Sequence, residues 1–448
     1  MIRRCCGTRG IRVVVIALWV FLVLLFVGCS GETEAPPETA EDEAAEREDS
    51  EAPAEQQEES EEAPGSIVSS ERVERWSPED IAEAGPDLFG SYDVPNTELA
   101  VEEYLVYYRT TDFDGTPVEA KAQLFIPVLT GAETPERPVL VFGSGTTGVA
   151  NRCAPSLEQE GEGRWGYYRT NMAFYASRGF ITIFPDYIGF NDSERVQRYF
   201  SKAAEAHLLL DGARAVSAFL EEKESLDAVA GDEVFTAGYS QGGHAALAAA
   251  DLRSEYAPEV PLQGAIGFAS TNDVATLMRE AAYYAPYIIY AYRAMYGEEE
   301  IRPSRYLKEE WAATLDEDVE NKCVKELEVY YPFEGRELFT EEFYEALHGG
   351  RLAEEFPAFH RRLEENRSGL SGHDVPVLLV QGGNDVIITP EAIERYMEQL
   401  CDTGVPVTYR YYDDARHRHT RPAGFEASVG WMASILEGDE PPNECEAP

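Results

Sequence analysis

From residue 99 onward the chain alternates short apolar runs with longer amphipathic stretches. The first two runs, LAVEEYLVYYR at 99–109 and TPVEAKAQLFI at 116–126, are rich in β-branched and aromatic residues. The Asp-Gly of the intervening TDFDG is a turn signal, so the pair reads as adjacent antiparallel strands. Later runs are shorter and mostly apolar on both faces: PVLVF at 138–142, GFITIF at 179–184, then 232–237, 262–269, 376–380 and 405–411. Helical spacing separates them. At 201–221 the apolar positions Ala203, Ala206, Leu209, Leu210, Ala213, Val216 and Leu220 recur at intervals of three and four, and 242–253, 390–400 and about 423–436 behave alike. Doubly buried strands alternating with helices predict an α/β fold: a mostly parallel sheet covered by helices on both faces.

One stretch breaks the rhythm. Residues 270–373 carry no strand pattern but many Tyr, Glu, Ala and Leu, as in AAYYAPYIIYAY. Connections in such folds are commonly 2–6 residues, so this segment reads as an inserted helical cap. The core is then 71–269 together with 374–448. The cap is expected near the carboxyl ends of the strands, where open sheets place their sites.

The chain starts differently. Four arginines precede an unbroken apolar run from Val13 to Val27. That run falls short of the roughly 20 residues a membrane-spanning helix needs, and with its basic start it describes an export signal. Gly28-Cys29 resembles the lipobox of bacterial lipoproteins, which makes residues 1–29 a signal and Cys29 the expected lipidated residue. The expected location is the cell envelope, outside the cytoplasm, with membrane attachment through Cys29. Residues 30–70 read as a disordered acidic linker: 31–65 hold 15 acidic residues against one arginine and no aromatic.

Charge narrows the partners. Of the formal −46, −36 remains once residues 1–65 are set aside. Nucleic acid and anionic lipid surfaces are docked by basic patches, so neither is an expected partner. Export permits disulfides, and beyond the signal and lipobox four cysteines remain: Cys153, Cys323, Cys401 and Cys445. They allow three pairings. No CxxC spacing brings two of them together as metal ligands, and no metal or organic cofactor is called for.

The candidate chemistry centres on Gly238-Tyr239-Ser240-Gln241-Gly242, a G-x-S-x-G between a predicted strand and a predicted helix. A sharp strand-to-helix bend leaves no room for side chains at the flanking positions. Ser240 then stands at a helix N-terminus, where backbone N–H groups favour negative charge, and the Gln241 amide can face a developing oxyanion. The second oxyanion donor is expected in GSGTTG after the 138–142 strand, with Thr146 first and Thr147 next. A serine needs a base. Among seven histidines, His207 lies mid-helix, His348 and His360 fall in the insertion, and His373 precedes a strand. His244, one helical turn beyond the serine, reads as a packing or hydrogen-bonding residue. His417 and His419 both follow the last strand, and Asp385 lies in the loop one strand earlier; the order serine, aspartate, histidine is that of the α/β-hydrolases.

Together these pieces resemble the secretory lipase family of α/β-hydrolases, which includes fungal lipase A-type enzymes and related bacterial esterases. The likeness rests on GTTG and NRCAPS within 145–156, FPDYIGF at 184–190, GYSQGGHAA at 238–246, QGGNDVIITP at 381–390, CDTGVPV at 401–407 and YYDDARH at 411–417. The resemblance implies Ser240 as nucleophile, His417 as base, Asp385 as its acid, and a helical lid over an acyl pocket. It also implies disulfides joining Cys153 to Cys323 and Cys401 to Cys445. The DDARHRHT segment is more charged than the family's glycine-rich turn, which keeps His419 as the alternative base. The expected activity is serine ester hydrolysis through an acyl-enzyme, of carboxylesterase or triacylglycerol lipase type. A peptidase or acyltransferase on the same fold, or a non-catalytic surface-anchored binding protein, are the alternatives.

Overall fold

The computed structural model describes residues 63–129, 135–158, 166–223, 226 and 228–446. The expected signal, the lipidation site Cys29 and nearly all of the acidic linker lie outside these residues.

Among the described residues, nine strands form one sheet in the order β1-β2-β3-β5-β4-β7-β8-β9-β10. They are β1 (Ile67–Trp76), β2 (Ala100–Thr111), β3 (Pro117–Val128), β4 (Glu136–Gly143), β5 (Ile181–Pro185), β7 (Val229–Tyr239), β8 (Leu262–Phe268), β9 (Val377–Gly382) and β10 (Val407–Tyr412). The short β6 (Ile188–Asn191) is not part of the sheet. From β5 to β10 all pairings are parallel, whereas β1, β2 and β3 add an antiparallel edge. β1 starts at Ile67, inside the stretch whose composition reads as linker.

Period-two alternation sends the strand side chains into two separate cores. In β4, Val139 and Val141 join one core and Leu140 and Phe142 the other; in β9, Val377 and Leu379 oppose Leu378 and Val380. The first core is closed by α3 (Lys202–Glu222), α4 (Gln241–Tyr256) and α5 (Pro390–Thr403), and it continues into the cap. The second is closed by α1 (Pro78–Phe89), α2 (Tyr168–Ser177) and α6 (Thr420–Leu436). This is the α/β-hydrolase fold, with helices on both faces.

Between β8 and β9 the chain makes a run of short helices from Val274 to Glu365. Many of its aromatic residues turn inward: Tyr287, Tyr292, Tyr306, Phe343 and Phe359 are fully buried. The cap is bound to the core at several points. Cys323 is disulfide-bonded to Cys153, and Val324 N–H donates to the Thr147 carbonyl (2.8 Å). Glu280 accepts from the backbone N–H and the hydroxyl of Thr389 (2.9 and 3.0 Å), and Arg418 donates to Glu328 (2.7 Å). The second disulfide joins Cys401 at the end of α5 to Cys445. Among the described residues, no helix is long and apolar enough to cross a membrane.

Candidate active site

Strand order reverses around β4: the chain passes to β5 on one side and later returns to β7 on the other. Such a reversal at the carboxyl ends of β4 and β7 is where open α/β sheets place their sites. The loop after β4 carries Thr146, and the end of β7 carries Ser240.

Ser240 has a φ of 53° and a ψ of −112°, a backbone state that non-glycine residues rarely occupy. It is held there by hydrogen bonds on both sides. Its N–H donates to the Phe268 carbonyl (2.9 Å), and its own carbonyl accepts from Gly243, His244 and Thr271. The flanking glycines are steric necessities. A Cβ on Gly238 would lie 2.1 Å from the Gly242 carbonyl oxygen, and one on Gly242 would lie 1.9 Å from the Gly143 oxygen. Strain at a residue whose surroundings over-determine it is a mark of functional sites.

The Ser240 hydroxyl lies 3.0 Å from His417 Nε2, and His417 Nδ1 lies 2.7 Å from Asp385 Oδ2. All three are nearly buried, at 8, 7 and 3 % exposure in the order Ser240, His417, Asp385. The other carboxylate oxygen of Asp385 accepts from the backbone N–H groups of Ile387 and Ile388 (2.9 and 3.0 Å), which fixes the acid in place. With Nδ1–H donating to Asp385, Nε2 is free to accept the serine proton. Thr271 Oγ1, 3.4 Å from the Ser240 oxygen, is a further hydroxyl at the nucleophile. It sits just after β8 with nothing in its local sequence to mark it.

His419 is not brought to this group. Its ring is exposed and lies edge-on to Tyr92, and partial burial together with Arg416 lowers its pKa from the ordinary histidine value. His417–His419 forms a 3₁₀ turn. At three residues per turn, positions two apart face in different directions, so only one can meet the serine.

On the oxyanion side, the amide N–H groups of Gln241 and Thr146 have no hydrogen-bond partner among the described residues. Thr146 is partly exposed, while Thr147 is buried and gives its carbonyl to the cap. The Thr146 hydroxyl lies 2.7 Å from the Tyr199 hydroxyl, and burial raises the Tyr199 pKa, so that phenol keeps its proton. Gly145 N–H donates to Tyr168 OH (2.7 Å). Tyr168 and Tyr199, which brace the loop from two elements, carry no motif that would reveal them in the sequence.

His244 is fully buried at the base of the elbow, with Nδ1 2.5 Å from Glu205 and Nε2 2.6 Å from the Asn366 carbonyl. It is a hydrogen-bonding residue, as its position one turn into the helix suggests.

Fold and site place the chain among the α/β-hydrolases. More narrowly, it belongs to the secretory lipase family, whose model matches residues 169–444. A secreted triacylglycerol lipase of Malassezia globosa is 25 % identical over 361 residues, covering 77 % of this chain and 75 % of that protein. Two solved structures share the fold. Candida antarctica lipase A in its closed state has a TM-score of 0.64 at 19 % identity, covering 86 % of this chain and 85 % of that one. The rice cell wall degrading esterase LipA of Xanthomonas oryzae has a TM-score of 0.66 at 17 % identity, covering 84 % of this chain and all of the other.

Proposed function

We propose that this chain is a serine carboxylic ester hydrolase of lipase or esterase type, acting through an acyl-enzyme on Ser240. The observation that carries this reading is the continuous Asp385–His417–Ser240 hydrogen-bond relay ending on a serine held at positive φ. Ser240 Oγ attacks the ester carbonyl while His417 Nε2 takes its proton. Asp385 orients the ring and balances the charge it acquires. The carbonyl oxygen becomes an oxyanion in front of the Gln241 and Thr146 amides, which need no reorganisation to receive it. His417 then protonates the departing alcohol. A water molecule, deprotonated by the same histidine, attacks the acyl-enzyme and releases the carboxylic acid. The Malassezia relative is a secreted triacylglycerol lipase, which supports export and an acyl ester of lipid type as the substrate class here. We assign the protein to the outer side of the cell envelope, tethered through a lipid on Cys29 with the acidic tract ahead of the described residues as spacer.

A serine-reactive fluorophosphonate tests the chemistry directly. Wild-type protein is expected to take one label and to hydrolyse p-nitrophenyl esters, and Ser240→Ala is expected to do neither. A wild-type protein that is folded, unlabelled and inert on esters would overturn the reading.

A further inference from the structure

Beneath the elbow lies a carboxylate that the hydrolytic mechanism does not use. Glu205, in the first turn of α3, is 1 % exposed and aims both oxygens at the serine's surroundings. Oε1 accepts from the Gln241 side-chain amide (2.7 Å) and from the Phe200 backbone N–H (3.1 Å). Oε2 faces His244 Nδ1 at 2.5 Å. The opposite ring nitrogen, Nε2, faces the Asn366 carbonyl, which can only accept, so Nε2 carries a proton and a second proton lies between Nδ1 and Glu205. Asn366 in turn accepts from Lys202 N–H through its side chain (2.9 Å) and donates to Tyr296 OH in the cap (2.8 Å).

Two of the three partners of Glu205 lead to the two halves of the proposed oxyanion pocket. Gln241 is the residue whose backbone amide the proposed mechanism assigns to that pocket. Phe200 stands at a φ of 53°, a strained state, and the residue before it is Tyr199, whose hydroxyl meets Thr146. The strain is contained by Glu205 on the Phe200 N–H and by Tyr292, whose hydroxyl donates to the Phe200 carbonyl (3.2 Å). The Phe200 ring packs edge-on against His244. One buried carboxylate therefore sets both the Gln241 end and the Tyr199–Thr146 end of a pocket whose usefulness depends on fixed geometry.

We propose that Glu205, seated by His244, is a positioning residue that holds the two oxyanion donors in register. This inference rests on the ester-hydrolase reading above. It requires that losing the carboxylate weakens the transition state and leaves substrate binding intact.

The variants separate positioning from bulk stability. Glu205→Ala removes all three contacts and is expected to lower kcat by about 10²-fold with KM little changed, the signature of a lost oxyanion interaction. Glu205→Gln can still accept from Gln241 and Phe200 through its oxygen and donate its amide to a neutral His244, so it is expected to recover most of kcat. Gln241→Leu keeps the backbone amide but cuts its side-chain tie to Glu205, and is expected to fall between the two. A trifluoromethyl ketone, which forms a tetrahedral oxyanion on the serine, should lose affinity in parallel with kcat across the series. Wild-type kcat in a folded Glu205→Ala variant, or a loss confined to KM, would overturn the proposal. Should Glu205→Ala not fold, Gln241→Leu with unchanged kcat and unchanged ketone affinity would overturn it equally. Failure of the ester-hydrolase reading is distinguishable, because wild-type protein itself would then show neither turnover nor ketone binding.

Discussion

Ser240 can meet His417 only while its backbone stays at a conformation that costs energy, and two glycines make that conformation possible. A Cβ added at Gly242 would lie 1.9 Å from the Gly143 carbonyl oxygen, a backbone atom that cannot step aside cheaply. Gly242→Ala is therefore expected to destabilise the fold toward the upper end of the about 1–3 kcal/mol typical of overpacking, read from the urea midpoint, and to abolish ester turnover. A fully active, fully stable Gly242→Ala would mean that the elbow is far looser than its contacts indicate. The relay makes a second prediction. Ser240→Ala and His417→Ala should each remove nearly all turnover, and their combination should be little worse than either. Asp385→Asn, which reverses the tautomer His417 must adopt, should lower kcat by about 10⁴-fold. His419→Ala should leave kcat near wild type; loss of activity in His419→Ala with retention in His417→Ala would reverse the assignment. The serine, the aspartate and the need for flanking glycines were legible because a strand–turn–helix junction imposes them locally. Spacing alone left His417 and His419 both open, because the 3₁₀ turn that separates their directions has no signature of its own. Glu205 and His244 are 39 positions apart, and Thr271 is brought to Ser240 only by the sheet, so no reading of neighbours along the chain could pair them.

At the level of elements, the tie between cap and oxyanion loop is the feature most open to perturbation. Cys153 ends a 3₁₀ turn after the β4 loop, and Cys323 stands at the N-terminus of the cap helix Val324–Tyr330. Their bond and the Val324-to-Thr147 hydrogen bond join the cap to the loop that carries Thr146. Removing the cross-link in a Cys153→Ala, Cys323→Ala variant should cost about 2–4 kcal/mol, chiefly by freeing the unfolded chain, and lower Tm accordingly. A short acyl chain has the least contact to lose with the cap, so the kcat on short esters should change little, while the preference among longer chains should shift. An unchanged Tm and an unchanged chain-length profile would show that the cap is held by its other contacts alone. The strands of the parallel sheet were legible because burial on both faces leaves uninterrupted apolar runs, and the cap because it interrupts them. β1 was not. Its IVSSERVERW sequence is exposed or half-exposed at every position, since it lies at the sheet edge with only β2 beside it. What makes it a strand is backbone pairing, which leaves no hydrophobic period to read. α1 and α2 escaped for different reasons: α1 buries Ile81, Gly85, Leu88 and Phe89 on one face but has a proline within it, which reads as a break, and α2 is buried nearly all round, so it shows no amphipathic stripe.

At the scale of the whole molecule, charge bears on the proposed attachment to a membrane. The chain beyond residue 65 carries a formal −36, and the acidic tract before it adds to the same sign. Anionic lipid repels such a surface, and salt shortens that repulsion without turning it into attraction. The net charge therefore gives the chain no attraction to anionic lipid, and among the described residues no helix is long and apolar enough to cross a membrane. The tether proposed above is the covalent one at Cys29. A diacylglycerol thioether supplies two acyl chains, enough for stable anchoring where a single chain is marginal. The consequence is a fractionation pattern with a definite dependence on salt and on one residue. Wild-type protein should stay with the membrane through a high-salt wash and leave it only in detergent. Cys29→Ala should lose the lipid mass and its membrane attachment at any ionic strength, with the ester turnover per molecule unchanged, because the relay and its cap lie far along the chain. Wild-type protein released by salt alone would point to an adsorbed partner, and a Cys29→Ala variant still fixed in the membrane would make the apolar run Val13–Val27 the anchor instead. Either result removes the lipid from Cys29 while leaving the chemistry at Ser240 untouched.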